Sequence, residues 1–126
     1  MESRSRWAAT GALLGGLAVL LGAFGAHAWK ESLQISGRLE TFETAARYQM
    51  FHAMALILAA SGGLEPRWAR HACRFFLAGI LLFCGSLDGI SAGGPRWIGA
   101  LTPLGGLCFM AGWVSLAAGY LRKPAR

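Results

Sequence analysis

Few side chains in this sequence could do chemistry, and most of them lie in or beside apolar runs. His52 and Asp88 each lie about seven residues inside such a run, roughly 10 Å at the rise of an α-helix. Thr102 lies at a similar distance inside another run, while His27 and Arg47 lie nearer the ends of theirs. Two histidines near one membrane face could bind haem or a metal, and a histidine with a carboxylate could carry protons.

The same positions have a structural interpretation that needs no ligand. An ionisable group inside a membrane is costly unless it is paired, so we expect Asp88 to pair with His52 or Arg47. Tyr48 and His52 are four residues apart and would lie on one face of a helix. His27 would hydrogen-bond within a polar rim at the outer end of its run. Ligand and structural roles for the histidines therefore both remain open.

Nucleophilic catalysis is not indicated. Ser86 and Ser91 have no base beside them in a recognisable elbow or triad, and the carboxylates of Glu40 and Glu43 are explained as loop charges. The cysteines have no paired spacing, so we expect neither a disulfide framework nor a zinc site from Cys73, Cys84 and Cys108. We predict a protein that is not an enzyme and has no metal site.

Composition indicates a membrane protein. The 126 residues are 55% apolar and only 14% charged, whereas soluble proteins have about a quarter charged residues. A helix needs about 20 residues to cross the hydrocarbon core. The second of four suitable runs requires Arg47 to extend to the interface, and Asp88 interrupts the third. The sequence predicts an all-α membrane protein, one domain of four transmembrane helices with short loops, at approximately 7–29, 45–64, 72–92 and 97–121.

The distribution of Lys and Arg predicts the orientation. The flanks and loops on one side carry Arg4, Arg6, Arg67, Arg70, Arg74, Arg122, Lys123 and Arg126. The other side carries only Lys30, Arg38, Arg47 and Arg96. Because cytoplasmic loops are enriched in basic residues, both termini are predicted to lie on the cytoplasmic side of a bacterial inner membrane. In an organelle, they would lie in the matrix.

The net charge of +6 has two interpretations. A nucleic-acid module would need a soluble basic face, which this sequence does not provide, so no nucleic-acid partner is expected. The cations could serve as positive-inside anchors or could bind anionic lipid headgroups. Arg67, Arg70, His71 and Arg74 are spaced so that they would lie on one face of a helix that enters the third span. The candidates for headgroup binding are Arg67, Arg70, His71, Arg74, Arg122 and Lys123.

The N-terminal segment also has features of a signal peptide. Arg4 and Arg6 precede an apolar stretch that ends in the small-residue pattern of Ala26, His27 and Ala28. However, a signal-peptide core is about 7 to 15 residues long, and this run is longer and ends at Trp29. We therefore expect a retained span.

Small residues are expected to form the helix interfaces, since lipid gives apolar helices little reason to associate. Pairs four residues apart are Gly11 with Gly15, Ala18 with Gly22 and Ala26, Gly85 with Gly89, and Cys108 with Gly112.

The polar stretch between the first two spans should bend at Gly37. Beyond it, Thr41 is the expected N-cap, and Glu43 is expected to form an ion pair with Arg47. In the last span, Pro103 frees the carbonyl of Gly99, which would need another donor.

Four stretches carry a family resemblance: LGAFGAHAWK at 21–30, TFETAARYQMFHAMAL at 41–56, LAGILLFCGSL at 77–87 and RWIGALTPLGGLCFMAGW at 96–113. They closely resemble the YgdD and YwdK-like small integral membrane proteins, a family of unknown function. The resemblance covers nearly the whole chain and implies a four-span inner-membrane protein. Asp88 departs from it, because an aromatic or apolar residue is usual at that position. The polar residues at matching positions, together with Asp88, form the candidate cluster His27, Glu43, Arg47, Tyr48, Gln49, His52, Asp88 and Thr102.

The leading functional prediction is a non-enzymatic component that acts by binding, either as an accessory or stabilising subunit of a membrane complex or homo-oligomer, or as a bundle that contacts membrane lipids. No cofactor is required by this prediction. The alternative is a small redox or transport protein, with haem, a metal or a proton-linked site in the non-cytoplasmic half of the bundle.

Overall fold

The computed structural model describes residues 2–123, which fold into helices with no strand. The α-helices are α1 (Glu2–Ala26), α2 (Lys30–Ile35), α3 (Leu39–Ala60), α4 (Pro66–Gly79), α5 (Gly85–Ser91) and α6 (Leu101–Leu121). A π-helical turn, Ile80–Cys84, joins α4 to α5, and a 3₁₀ turn, Arg96–Ala100, leads into α6. The predicted all-α class is confirmed.

Three helical stretches among the described residues are long and apolar enough to cross a membrane: Glu2–Ala26, Pro66–Ser91 and Arg96–Leu121. They correspond to the first, third and fourth predicted spans. The second predicted span falls on α3, whose first half carries Glu40, Glu43 and Arg47 and which is not among those three. The fold thus has three candidate spans and a fourth long helix that is more polar.

The helix ends are set by local chemistry. Glu65 caps α4, since its carboxylate accepts hydrogen bonds from the backbone N–H groups of Arg67 and Trp68, and Pro66 occupies the first turn. Gly62 and Gly63 have positive φ angles of 100° and 83° in the turn before α4, a conformation that favours glycine.

The bend expected at Gly37 is confirmed, because its φ of 71° separates α2 from α3. The expected N-cap at Thr41 is wrong. Helix α3 begins at Leu39, so its N-cap is Arg38, three residues before Thr41, and Arg38 makes no side-chain capping bond. Instead, the Arg38 N–H donates to the carbonyl of Leu33 at 2.8 Å, so the preceding helix fixes where α3 starts.

The helices pack in the order α1, α3, the α4–α5 stretch, and α6. Helix α3 is central, packing against α1 on one side and against the α4–α5 stretch on the other. Its buried face is rich in alanine, with Ala45 and Ala53 fully buried. Small side chains on the central helix allow its neighbours to approach closely.

Helices α4 and α6 interlock through what we call the phenylalanine–glycine ladder. Phe76 fills the space at Gly112, Phe109 fills the space at Gly79, and Phe83 fills the space at Gly105. From one contact to the next, the residue number rises by three or four along the α4–α5 stretch and falls by the same amount along α6, as expected for antiparallel helices. One rung further, Ser86 Oγ and Thr102 Oγ1 are hydrogen-bonded at 2.6 Å.

The small-residue expectation is therefore only partly right. Gly11 and Gly112 do lie at close helix contacts, and a Cβ added at either would meet a neighbour at 2.7 Å. Gly22 and Gly85 have open space at the Cβ position. The contacts are instead made at Gly25, which packs against Phe42, and in the ladder. Spacing predicts that small residues share a face, but the large residue opposite decides which of them is used.

Candidate functional site

A groove of about 800 Å³ lies between α3 and α6. These two helices lie on either side of the α4–α5 stretch, and the π-helical turn supplies the floor through Phe83. The groove is lined by Arg47, Tyr48, Phe51, His52, Met54, Ala55, Leu58, Phe83, Gly106, Phe109, Met110 and Trp113. All but a few of these side chains are apolar, so the groove suits a hydrocarbon ligand.

Three of the predicted cluster residues meet in this groove: Arg47, Tyr48 and His52. Arg47 is the first of them along α3 and lies exposed on the outer end. The expected ion pair between Glu43 and Arg47 is wrong, since no carboxylate lies within ion-pair distance of Arg47 among residues 2–123. Both residues are exposed, and separate solvation of long side chains competes with a weak i, i+4 pair.

His52 is a buried, fully hydrogen-bonded side chain. Its Nδ1 lies 2.7 Å from the carbonyl oxygen of Tyr48 and must donate there, because a carbonyl only accepts. Its Nε2 then accepts a hydrogen bond from Trp113 Nε1 at 3.1 Å. The neutral imidazole thus joins α3 to α6 across the inner part of the groove.

These bonds are the ones that the structural interpretation of His52 expects. A haem or metal ligand needs a free nitrogen lone pair, and the Nε2 lone pair is directed at Trp113. The predicted pairing of Asp88 with His52 is wrong for the same reason. The pairing of Asp88 with Arg47 is also wrong, because Asp88 Oδ1 is buried with no hydrogen-bond partner among the described residues.

Aromatic rings surround His52 and make the groove wall rigid. The imidazole stacks on Phe109 with ring centroids 3.5 Å apart, and the Tyr48 ring lies 5.9 Å from it in a nearly parallel plane. Tyr48 also packs against Phe83 at 4.9 Å. Packed aromatic groups of this kind hold their shape without a ligand, so the groove is preformed.

The other predicted cluster residues lie elsewhere. Gln49 is buried on the opposite face of α3, and its Nε2 donates to the carbonyl of Leu14 in α1 at 2.9 Å. His27 is exposed in the turn after α1, and its side chain bonds no other described residue. Glu43 is exposed, and Thr102 belongs to the α5–α6 contact with Ser86. The carbonyl of Gly99 accepts a backbone N–H at the end of the 3₁₀ turn.

The predicted headgroup residues lie at the opposite end of the bundle. Arg67, Arg70 and Arg74 are exposed along α4. The guanidinium of Arg122 lies over the Trp68 ring at 5.0 Å, and the ring of His71 lies 5.9 Å from that of Trp68. Lys123 lies near Gly63 in the α3–α4 turn, and Arg126 lies outside the described residues. These cations therefore share one end of the molecule but form no single cluster.

Sequence reasoning missed the apolar half of the groove, namely Phe83, Phe109, Met110 and Trp113. Trp113 was expected only as part of a span, yet its indole N–H donates a hydrogen bond to His52. Two features of the sequence could have pointed to this groove. Phe109 and Trp113 are spaced i, i+4 on α6, and His52 follows Tyr48 by one turn on α3. Which helices would face each other was not readable from spacing.

Comparison with known proteins identifies the family. The family model "Protein of unknown function (DUF423)" matches residues 21–106. A UPF0382 membrane protein of Haemophilus influenzae is 38% identical over 115 residues, covering 90% of this chain and 92% of that protein. A UPF0382 membrane protein of Staphylococcus saprophyticus is 37% identical over 113 residues, covering 86% of this chain and 91% of that protein.

The UPF0382 inner membrane protein YgdD of Escherichia coli K12 is 34% identical over 116 residues, which is 88% of this chain and 86% of that protein. No solved structure matches the chain. The resemblance to YgdD-like proteins is confirmed. The chain therefore belongs to the DUF423 family of membrane proteins, whose function is unknown.

Proposed function

We propose that this chain is a non-enzymatic, four-span protein of the bacterial inner membrane, with both termini in the cytoplasm, and that it acts by binding a phospholipid in the groove between α3 and α6. The acyl chain lies along the apolar wall, and the phosphate pairs with Arg47. The observation that carries the proposal is an exposed arginine without a carboxylate partner at the end of an apolar, preformed groove.

The topology is supported by the distribution of charge. Arg4 lies near Gly62 and Lys123 lies near Gly63, so both ends of the described chain meet the α3–α4 turn at one end of the bundle. This end carries most of the Lys and Arg residues, as cytoplasmic surfaces do. Helix α3 packs between α1 and the α4–α5 stretch, which cover its buried face, while its charged residues are confined to the first half, at the end opposite the α3–α4 turn.

The lipid assignment is supported by the chemistry of the groove. Phe51, Met54 and Met110 are 51%, 52% and 65% exposed, an apolar surface that hydrocarbon covers at no cost. The guanidinium of Arg47, by contrast, requires an anion or water at this depth. A phosphate diester offers oxygens that a guanidinium binds with two parallel hydrogen bonds. A phospholipid meets both requirements with one molecule.

The test is lipid retention by the protein extracted in mild detergent, measured by native mass spectrometry. Arg47→Gln is expected to lose the phospholipid bound in the groove. Arg96→Gln is the matched control, because it removes an exposed cation at the same end that does not line the groove. Gly106→Trp should also expel the lipid, since a Cβ there meets no atom within 4 Å and the indole would fill the groove. Equal retention by all variants would refute the groove as a lipid site.

An accessory role, in a larger complex or a homo-oligomer, is a second candidate, favoured by the outward face of α1. Apart from α2, α1 packs mainly against α3, and Leu13 and Leu20 are 76% and 68% exposed around an open Gly16. A small residue flanked by large apolar ones is a surface on which another helix can pack. A photocrosslinker at Leu20 in native membranes should yield one discrete protein adduct. The same probe at Leu81, also exposed, should yield lipid adducts only, and the absence of a protein adduct at Leu20 would refute the role.

A further inference from the structure

A second cavity, of about 410 Å³, lies at the other end of the molecule, between the start of α1, the end of α3 and the first half of α4. Ser3 and Arg4 line it from α1, and Arg70 lines it from α4. The remaining wall is apolar, formed by Trp7, Ala59, Ala60, Pro66, Ala69 and Cys73. The small side chains at 59, 60 and 69 leave the space open, because no large residue fills it from the opposite helix.

The carboxylates at this end are already occupied. Glu2 forms an ion pair with Arg6 at 2.8 Å, and Glu65 accepts the two backbone N–H groups that begin α4. Among residues 2–123, no carboxylate lies within ion-pair distance of Arg4 or Arg70. Two arginines from different helices thus line one cavity, and neither has a carboxylate partner among the described residues, an arrangement that attracts an anion.

We propose that this cavity binds the phosphate of an anionic phospholipid, with the diester between Arg4 and Arg70 and the first part of an acyl chain against Trp7 and Pro66. A phosphate is favoured over a carboxylate because it offers oxygens to guanidinium groups approaching from two sides, as well as one to Ser3. The apolar side chains of Trp7 and Pro66, which remain accessible beside the two arginines, favour a lipid over a free phosphate, since a soluble ion would leave them uncovered.

This site differs from a diffuse positive surface. Arg67 and Arg74 lie on the same helix as Arg70 and are exposed, but neither lines the cavity. Arg122 is held over Trp68. If general attraction to anionic lipid explained binding, then any two of these cations would contribute equally. The proposed site requires Arg4 and Arg70 in particular, and it is independent of the groove at Arg47.

The experiment measures binding of phosphatidylglycerol to the full-length protein in phosphatidylcholine nanodiscs, by native mass spectrometry and by the gain in thermal stability. The variant Arg4→Gln/Arg70→Gln is compared with Arg67→Gln/Arg74→Gln, which removes the same charge from the same end. The first variant should lose two charged contacts to the phosphate and bind phosphatidylglycerol about 100-fold more weakly. The second should stay near the wild-type affinity.

Three results would overturn the proposal. Equal losses in the two double variants would mean that only diffuse charge attracts the lipid. Unchanged binding by Arg4→Gln/Arg70→Gln would place the lipid elsewhere. Displacement of the lipid by soluble glycerol 3-phosphate at matched concentration, with the same gain in stability, would make a free phosphate the ligand. Both arginines are exposed, so folding should be retained, and single Arg70→Gln with a smaller loss provides a second variant.

Discussion

The two sides of α6 are built in opposite ways. Toward α4, Gly105 lies directly against the backbone of Phe83, and the phenylalanine–glycine ladder leaves no room. Toward α3, the next residue, Gly106, faces the groove and meets no atom within 4 Å. Adjacent glycines on one helix therefore do different things. The first permits tight packing and the second leaves space for a ligand, which shows that glycine content alone cannot distinguish an interface from a binding surface.

The largest expected effect comes from the adjacent glycines themselves. Gly105→Ala should lower the free energy of unfolding by about 3 kcal/mol, because the new methyl group would overlap the backbone of Phe83, which cannot move away as a side-chain end could. Gly106→Ala should leave the stability almost unchanged. Thermal unfolding of both variants in the same detergent measures the difference. Equal stability of the two would mean that the α4–α6 interface is looser than the ladder implies.

A smaller effect is expected at Asp88, which lies on the helical stretch that also carries one side of the ladder. Its buried Oδ1 has no hydrogen-bond partner among the described residues. An unpaired carboxylate in an apolar surrounding is destabilising, so Asp88→Asn should raise the free energy of unfolding by about 2 kcal/mol.

Glu43→Gln serves as the control for Asp88, because it neutralises an exposed carboxylate and should change little. The measurement is again thermal unfolding in detergent. A loss of stability in Asp88→Asn would show instead that the carboxylate has a specific role in the folded protein.

The smallest expected effect on stability concerns the hydrogen bond between Trp113 and His52, which joins the two walls of the groove. In a double-mutant cycle with His52→Leu and Trp113→Phe, the coupling energy should be about 1 kcal/mol, the size of a strong hydrogen bond between membrane helices. A coupling near zero would mean that the bond between α3 and α6 does not stabilise the groove. Phospholipid retention by Trp113→Phe would show whether the lipid depends on it.

The sequence predicted most of the secondary structure because long uncharged runs have few alternatives to a helix in lipid. Three of the four predicted spans match apolar helices, although their ends differ by a few residues. The bend at Gly37 was also predictable from a residue type that permits positive φ. The start of α3 was not predictable, because a hydrogen bond from the Arg38 N–H to the Leu33 carbonyl starts the helix before Thr41.

The candidate site was predictable only in part. Arg47, Tyr48 and His52 were identified as polar groups in an apolar chain, and they do meet in one groove. Gln49, although adjacent in sequence, points toward α1, because successive residues of a helix face different directions. Asp88 was assigned a partner that it does not have, since depth in the membrane says nothing about rotation around the helix axis.

By itself, the sequence determined that this protein is helical, that it belongs in a membrane, and that its cations gather toward the termini and the 61–74 segment. These properties depend on composition and on distance along the chain. The tertiary structure decided which glycine packs against which phenylalanine, that Trp113 donates a hydrogen bond to His52, and that Arg4 and Arg70 line the same cavity. Those results depend on how each helix is rotated about its axis and which helix lies beside it, and both follow from the fit of many side chains at once.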